Sequence, residues 1–254
     1  MTQWNRALVT GASSGIGLQI ARQLAGAGTA LVIVARDEQR LAALASSVEV
    51  ECEVLVADLA TRDGVERVVG RLTDTDAPID LLVNNAGFGF QGDFHELDVE
   101  REVSVVDVNV SALLRLAHAA ASSMVAAGGG GILNVSSMAG FAGAPGTATY
   151  AATKAFVTSF SEALHTELEP HGVHVTALCP GFTRTEFQDR ANYDASGVPA
   201  VLWQSASDVA AAGLRGVAAN RTVVVPGVMN RLGAATVNAL PGTVRRFALS
   251  KLPR

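Results

Sequence analysis

The chain has 254 residues, 49% of them hydrophobic and 17% charged, with a formal net charge of −5. That length suits one large core in a single domain, and with no sustained basic run nucleic acid is not an expected partner. Cys52 and Cys179 are far apart, no secretory pattern opens the chain, and no run reaches the roughly eighteen apolar residues of a membrane span, so a reduced, cytoplasmic protein is expected.

Short β-branched runs alternate with segments of helical period. RALVT (6–10) predicts a strand and GIGLQIARQLAGAG (15–28) a helix; ALVIVA (30–35) is followed by DEQRLAALASSV (37–48), and CEVLVADL (52–59) by TRDGVERVVGRLTD (61–74). DLLVNN (80–85) precedes a helix expected to begin near Val103 and to run through VNVSALLRLAHAAASSMVAA to Ala127, where Gly128 to Gly131 stop it and turn into GGILNVSS (130–137). YAATKAFVTSFSEALHTELEPHG (150–172), VHVTALCP (173–180), SASDVAAAGLRGVAAN (205–220) and RTVVVPG (221–227) complete the alternation. Seven strands, nearly continuous in apolar residues and joined by helices, predict an α/β fold with a doubly wound parallel sheet of Rossmann type. Residues 1–227 form the expected catalytic domain. Residues 186–204 break the rhythm as a binding loop, and 228–254 form a helical tail. The tail's Arg231, Arg245, Arg246, Lys251 and Arg254 among apolar residues suit an amphipathic helix packed on the domain better than one lying on a membrane.

The stretch TGASSGIG (10–17) has two readings. Gly11 to Gly15 spells the G-x-S-x-G of a hydrolase nucleophile elbow, but only ten residues precede it, too few for the strand and loop that supply the oxyanion hole. Gly11, Gly15 and Gly17 also form a glycine-rich turn between a strand and a helix. Such a turn brings bare backbone and helix N–H groups to a dinucleotide pyrophosphate, with Ser13 and Ser14 as hydroxyl donors or caps.

Further motifs decide between them: Asp58, NNAG (84–87), Asn109, the pair Ser136-Ser137, YAATK (150–154) and PGFTRT (180–185), in that order. With TGASSGIG they resemble the short-chain dehydrogenase/reductase family continuously from Arg6 to Thr185. The resemblance implies an NAD(P)-dependent oxidoreductase with Asn109, Ser137, Tyr150 and Lys154 as its catalytic residues. Tyr150 is implied as the general acid/base and Lys154 as its partner and ribose ligand. Ser137, rather than Ser136, is implied to hold the substrate oxygen, and the backbone of Asn109 to support a water chain. The implied cofactor wall comprises Gly11, Ser13, Ser14, Gly15, Ile16, Gly17, Arg36, Asp58, Leu59, Asn85, Ala86, Gly87, Tyr150, Lys154, Pro180, Gly181, Thr183 and Thr185, with Asn84 beside the adenosine ribose. No metal is implied. Tyr150 and Lys154 are four residues apart on one helix face, so the ammonium, together with the positive nicotinamide ring, is expected to draw the phenol pKa down from about 10.

At the end of the second strand Arg36 suits a 2′-phosphate, while Asp37 could accept a free 2′-hydroxyl or cap the next helix. NADP(H) is favoured over NAD(H) on this ground. Phe88 to Phe94, Gly140 to Thr147 and the 186–204 loop are apolar or small, and suit a hydrophobic carbonyl or secondary alcohol as substrate. A nucleotide sensor or scaffold without turnover is the rival reading, and it would have no use for Ser137, Tyr150 and Lys154. The helices around 103–127 and 150–169 carry apolar residues on more than one face, so a homodimer or homotetramer is expected.

Overall fold

A computed structural model describes residues 4–191, 193 and 197–239. Expectations for Asn192, for 194–196 and for 240–254, including Arg245, Arg246, Lys251 and Arg254, lie outside the described residues.

The first half alternates strictly: β1 (Arg6–Thr10), α1 (Gly15–Gly26), β2 (Ala30–Ala35), α2 (Glu38–Ser46), β3 (Cys52–Val56), α3 (Arg62–Leu72) and β4 (Leu81–Asn84). Then come α4 (Val99–Val106), a π-helical turn (Asp107–Ala112), α5 (Leu113–Ala127), β5 (Gly130–Val135), α6 (Ala148–Leu168) and β6 (Val173–Leu178). The chain continues through β7 (Thr183–Arg184), α7 (Phe187–Arg190), β8 (Gln204–Ser205), α8 (Ala206–Ala218), β9 (Val223–Val224) and α9 (Val228–Ala239). Among the described residues seven strands form one parallel sheet in the order β3-β2-β1-β4-β5-β6-β9. This is the doubly wound sheet that the alternation predicts, and all seven strands fall within the expected segments.

Strand alternation explains why the runs are apolar throughout. Ala7, Val9, Leu31, Ile33, Leu81 and Val83 face α1, α2 and α8, while Leu8, Val32, Val34 and Leu82 face α3 and α5. Both faces are buried, so a polar residue inside a strand needs a partner: Asn134 on β5 donates to Ser161 Oγ and Thr176 on β6 to the Arg221 carbonyl.

The sequence reading misses three local features. α4 starts at Val99, ahead of Val103, because the Asp98 carboxylate accepts the Glu100 N–H and caps the helix. Asn109 lies in a π-turn inside the long helix, a register change that the 3.6-residue pattern hides. The 186–204 segment is also more structured than a loop: β7 and β8 pair in parallel and α7 sits between them. One 18-residue window within Val99–Ala127 is apolar enough to cross a membrane by composition, but Ala112, Leu116, Ala119, Ala120 and Met124 turn its inner face onto the sheet. Its outer side, with α6, leaves Val99, Val103, Val106, Leu114 and Phe156 exposed.

Two glycines of α3 make a paired test of close packing. A Cβ at Gly64 would lie 2.0 Å from the Asp58 carbonyl oxygen, whereas at Gly70 it would meet nothing within 4 Å. Alanine favours helix over glycine by about 1 kcal/mol, and overpacking against backbone costs roughly 1–3 kcal/mol. Gly70→Ala should therefore raise the urea midpoint slightly, and Gly64→Ala should lower it by the equivalent of about 2 kcal/mol. Equal effects at the two positions would contradict the tight α3–Asp58 contact.

Candidate active site

A cleft of about 1170 Å³ runs along the carboxyl edge of the sheet. Thr10, the last residue of β1, organises that edge. Its hydroxyl donates to the Val83 carbonyl at 3.2 Å and accepts the N–H groups of Asn85 and Ala86, both at 3.0 Å. The Asn85 amide returns bonds of 2.8 and 3.2 Å to the Thr10 and Gly11 carbonyls. Gly11, at φ +65°, approaches this knot so closely that a Cβ would stand 2.7 Å from Asn85 Nδ2.

The turn carries Ser13, Ser14, Gly15 and Ile16 into the cleft wall. Ser14 occupies the N-cap of α1, yet its side chain makes no capping bond and the first turn holds no acid. The leading N–H groups of α1 therefore lack an intrahelical or side-chain partner and suit an anion. Gly17 does not face the cleft as expected. It is buried, and a Cβ there would meet the Gly11 carbonyl at 2.5 Å, so its bareness lets α1 pack against the turn.

Arg36, Asp58, Leu59, Asn85, Ala86 and Gly87 line the cleft, as do Pro180, Gly181, Thr183 and Thr185. Asp37 caps α2, accepting the Arg40 N–H at 3.0 Å, while Arg36 is exposed at the rim. Asn84 is not part of the wall. It is 3% exposed and gives its amide to Asn134 Oδ1 at 3.0 Å, because strand alternation turns it into the core beside β5.

Ser137, Tyr150 and Lys154 converge in the same cleft. Ser136 and Ser137 follow β5 in extended conformation and so point to opposite sides. Ser137 faces the Tyr150 phenol, and Ser136 is buried against α6. Lys154 Nζ donates to the Val135 carbonyl at 2.9 Å and lies 5.8 Å from the Tyr150 ring centre. Asn109 stands behind the cleft: its Oδ1 accepts the Phe88 N–H at 3.1 Å, and its Nδ2 donates to the Phe88 carbonyl and to Thr153 Oγ1 at 2.9 and 3.0 Å. Its side chain thereby ties the 85–92 segment to α6.

The expected lowering of the Tyr150 pKa does not hold for the unliganded protein. Burial pushes the phenol up to about 12, only partly opposed by Ser137, and burial pulls Lys154 down to about 8. Desolvation outweighs the ammonium, which is directed to a carbonyl on β5 and not to the phenol oxygen. Two neighbours close over the ring. Phe187 lies 5.4 Å from it, centre to centre, and a Cβ at Gly89 would come within 2.5 Å of Tyr150 Cδ2.

The elbow reading of Ser13 finds no support. No histidine lines the cleft among the described residues, and His165 and His174 each hold a backbone carbonyl, of Val175 and Val217, at 2.9 Å.

Comparison with known proteins agrees with this arrangement. The model of the short chain dehydrogenase family matches residues 5–196. The chain belongs to that family. A short-chain dehydrogenase from Sphingobium yanoikuyae, solved in complex with NADPH, is 36% identical with a TM-score of 0.83, covering 98% of this chain and 97% of that one. A bulky-bulky ketone specific alcohol dehydrogenase from Comamonas testosteroni is 34% identical with a TM-score of 0.80, over 98% and 95% of the two chains. Sulfoacetaldehyde reductase 2 of Chromohalobacter salexigens is 36% identical over 184 residues, 71% of this chain and 73% of the relative. This short-chain dehydrogenase is thus an NAD(P)-dependent oxidoreductase on a single Rossmann-like domain.

Several residues of the site escape the motifs. Thr10 and Thr153 lie inside TGASSGIG and YAATK, but their roles do not show there, since they act through bonds to partners 75 and 44 positions away. Arg40 on α2 meets both carboxylate oxygens of Glu186 at 2.9 Å, and Arg190 pairs with the same carboxylate. The i,i+4 spacing of Glu186 and Arg190 was the one readable signal.

Buried Lys154 links stability to pH. Its pKa in the folded chain, about 8, lies below the ordinary 10.5, so between those values the unfolded chain binds the extra proton and folding gains as pH rises. The denaturation free energy of the wild type minus that of Lys154→Met should be flat below pH 8 and climb towards pH 10. A difference constant across that window would mean that Lys154 is not desolvated.

Proposed function

We propose that the protein transfers hydride between NADP(H) and an uncharged, bulky carbonyl or secondary alcohol, with Tyr150 as general acid/base. The convergence of Ser137, Tyr150 and Lys154 in the cleft that also holds the uncapped glycine turn carries this reading. The dinucleotide, when bound, supplies the hydride chemistry. The N–H groups of α1 suit its pyrophosphate, and the exposed Arg36 suits a 2′-phosphate in bidentate geometry. The NADPH named with the Sphingobium enzyme supports the same choice.

Tyr150, held above the ordinary phenol pKa, keeps its proton at neutral pH and can give it to a carbonyl oxygen. Ser137 is placed to accept or donate a hydrogen bond at the same oxygen. Lys154 remains largely an ammonium at pH 7, since its lowered pKa of about 8 is still above that value. The unliganded site is therefore set for reduction.

The walls around Tyr150 favour an apolar substrate. Phe88, Phe90, Phe182, Phe187 and Leu202 line this end beside the Lys154 ammonium, and a second cation there, Arg190, is already paired with Glu186. A sulfonate such as the one in the named substrate of the Chromohalobacter relative would have to leave water beside this aromatic wall, at a cost that an uncharged group avoids. A bulky ketone, as named for the Comamonas enzyme, suits the largely apolar and aromatic surface of this end.

Tyr150→Phe removes the proton carrier and leaves the glycine turn intact. With a panel of aryl and alkyl ketones, followed by nicotinamide absorbance, kcat should fall by about 10²–10⁴-fold while NADPH affinity changes little. Near-normal turnover would reject the mechanism. Arg36→Ala should weaken NADPH by about 10–100-fold, the loss expected for hydrogen bonds to a charged group, and leave NADH unchanged. Equal affinity of the wild type for the two cofactors would remove the 2′-phosphate assignment.

A further inference from the structure

Ser136 and Ser137 are neighbours in sequence but serve different partners. Ser136 is 3% exposed and its Oγ donates to the backbone carbonyl of Lys154 at 2.7 Å. The same Oγ lies 2.7 Å from Thr158 Oγ1, which itself reaches the Lys154 carbonyl at 3.1 Å. Each hydroxyl has one proton, so with Ser136 donating to the Lys154 carbonyl, Thr158 donates either to Ser136 Oγ or to that same carbonyl, and both hydroxyls are satisfied. The residue before Ser136 holds the other end of the lysine, where the Val135 carbonyl accepts Nζ at 2.9 Å. Two consecutive residues at the end of β5 thus grip Lys154 at its backbone and at its tip.

The following segment closes the same grip. A Cβ at Gly140 would stand 2.7 Å from the Lys154 carbonyl oxygen, so the 137–140 turn lies directly on that peptide. At its tip, Nζ is aimed at the cofactor wall, 3.2 Å from where a Cβ on Gly87 would be. A shift of α6 along its axis would carry Nζ off this line, because the side chain is already committed at both ends.

We propose that Ser136 is a positioning residue for Lys154: its hydroxyl sets the height of α6 against β5, and with it the place of the ammonium in the cleft. This inference rests on the cofactor-binding role proposed for Lys154. Ser136 is 3% exposed at the cleft wall, and in this proposal it acts through the lysine.

A double-mutant cycle tests it with NADPH dissociation constants, read by nicotinamide fluorescence, and melting temperatures for wild type, Ser136→Ala, Lys154→Met and the double variant. Ser136→Ala is expected to raise the NADPH Kd about fivefold in the wild type and less than twofold in Lys154→Met, while lowering the melting temperature similarly in both. Thr158→Val, which removes the other hydroxyl of the bridge, should act in the same direction and serves if Ser136→Ala does not fold. A Kd unmoved by Ser136→Ala or Thr158→Val, or moved equally in the two backgrounds while Lys154→Met itself weakens NADPH, overturns the inference alone. A Kd unmoved by Lys154→Met overturns the role of Lys154, and the inference with it.

Discussion

One hydroxyl holds together the edge on which the site is built. Thr10 is 1% exposed, ends the central strand, and takes two N–H groups from the segment after β4 while giving its own proton back to Val83. A parallel sheet satisfies its backbone only as far as the strands run side by side, so the first residues beyond them are buried donors in need of acceptors. Thr10 supplies that acceptor from within the sheet. The turn at Gly11 and the wall at Asn85–Gly87 consequently start from a common point, and the two halves of the cleft are in register before any ligand arrives.

The same economy of buried polar groups runs from the sheet to the reacting end. Asn84, Asn134 and Ser161 form a chain of bonds at 3.0 Å across β4, β5 and α6, and Ser161 passes its proton to Val157 within the helix. Asn109 makes a second tie, from the 85–92 segment to Thr153 on α6. Helix α6 is therefore located by directional bonds at several levels as well as by apolar contact. Oil-like packing alone leaves a helix free to slide by fractions of an ångström, and a lysine that must reach a fixed point needs more than that.

Much of this was legible in the sequence because two strong periodicities carry it. Apolar strands and amphipathic helices announce the sheet, and the TGASSGIG, NNAG and YAATK motifs place the cleft at its carboxyl edge. What stayed hidden depends on partners distant in the chain. Gly17 and Asn84 sit inside recognised motifs, yet serve packing and the core, since a motif does not say which of its residues face outwards. The π-turn at Asp107–Ala112 leaves no mark on the hydrophobic pattern. The direction of the Tyr150 shift also eluded the spacing argument. A Tyr and a Lys four apart share a helix face, but how much water reaches the phenol is decided by Phe187 and Gly89, from other elements.

The wall is not equally firm all round. On the sheet side it rests on buried hydrogen bonds, each costly to break because the orphaned group would remain in the interior. On the far side three successive residues reach over the cleft: Thr185 comes within 3.2 Å of where a Cβ on Gly15 would be, Glu186 meets Arg40, and Phe187 meets Tyr150. The ion pair is nearly half exposed on both partners, so solvent screens it to little net worth, and an aromatic pair adds about 0.5–1.5 kcal/mol. These contacts are comparable with thermal energy, whereas the sheet edge is not. The part of the wall that covers the cleft is thus the part held least tightly, and the part that positions Ser137, Tyr150 and Lys154 is the part held most.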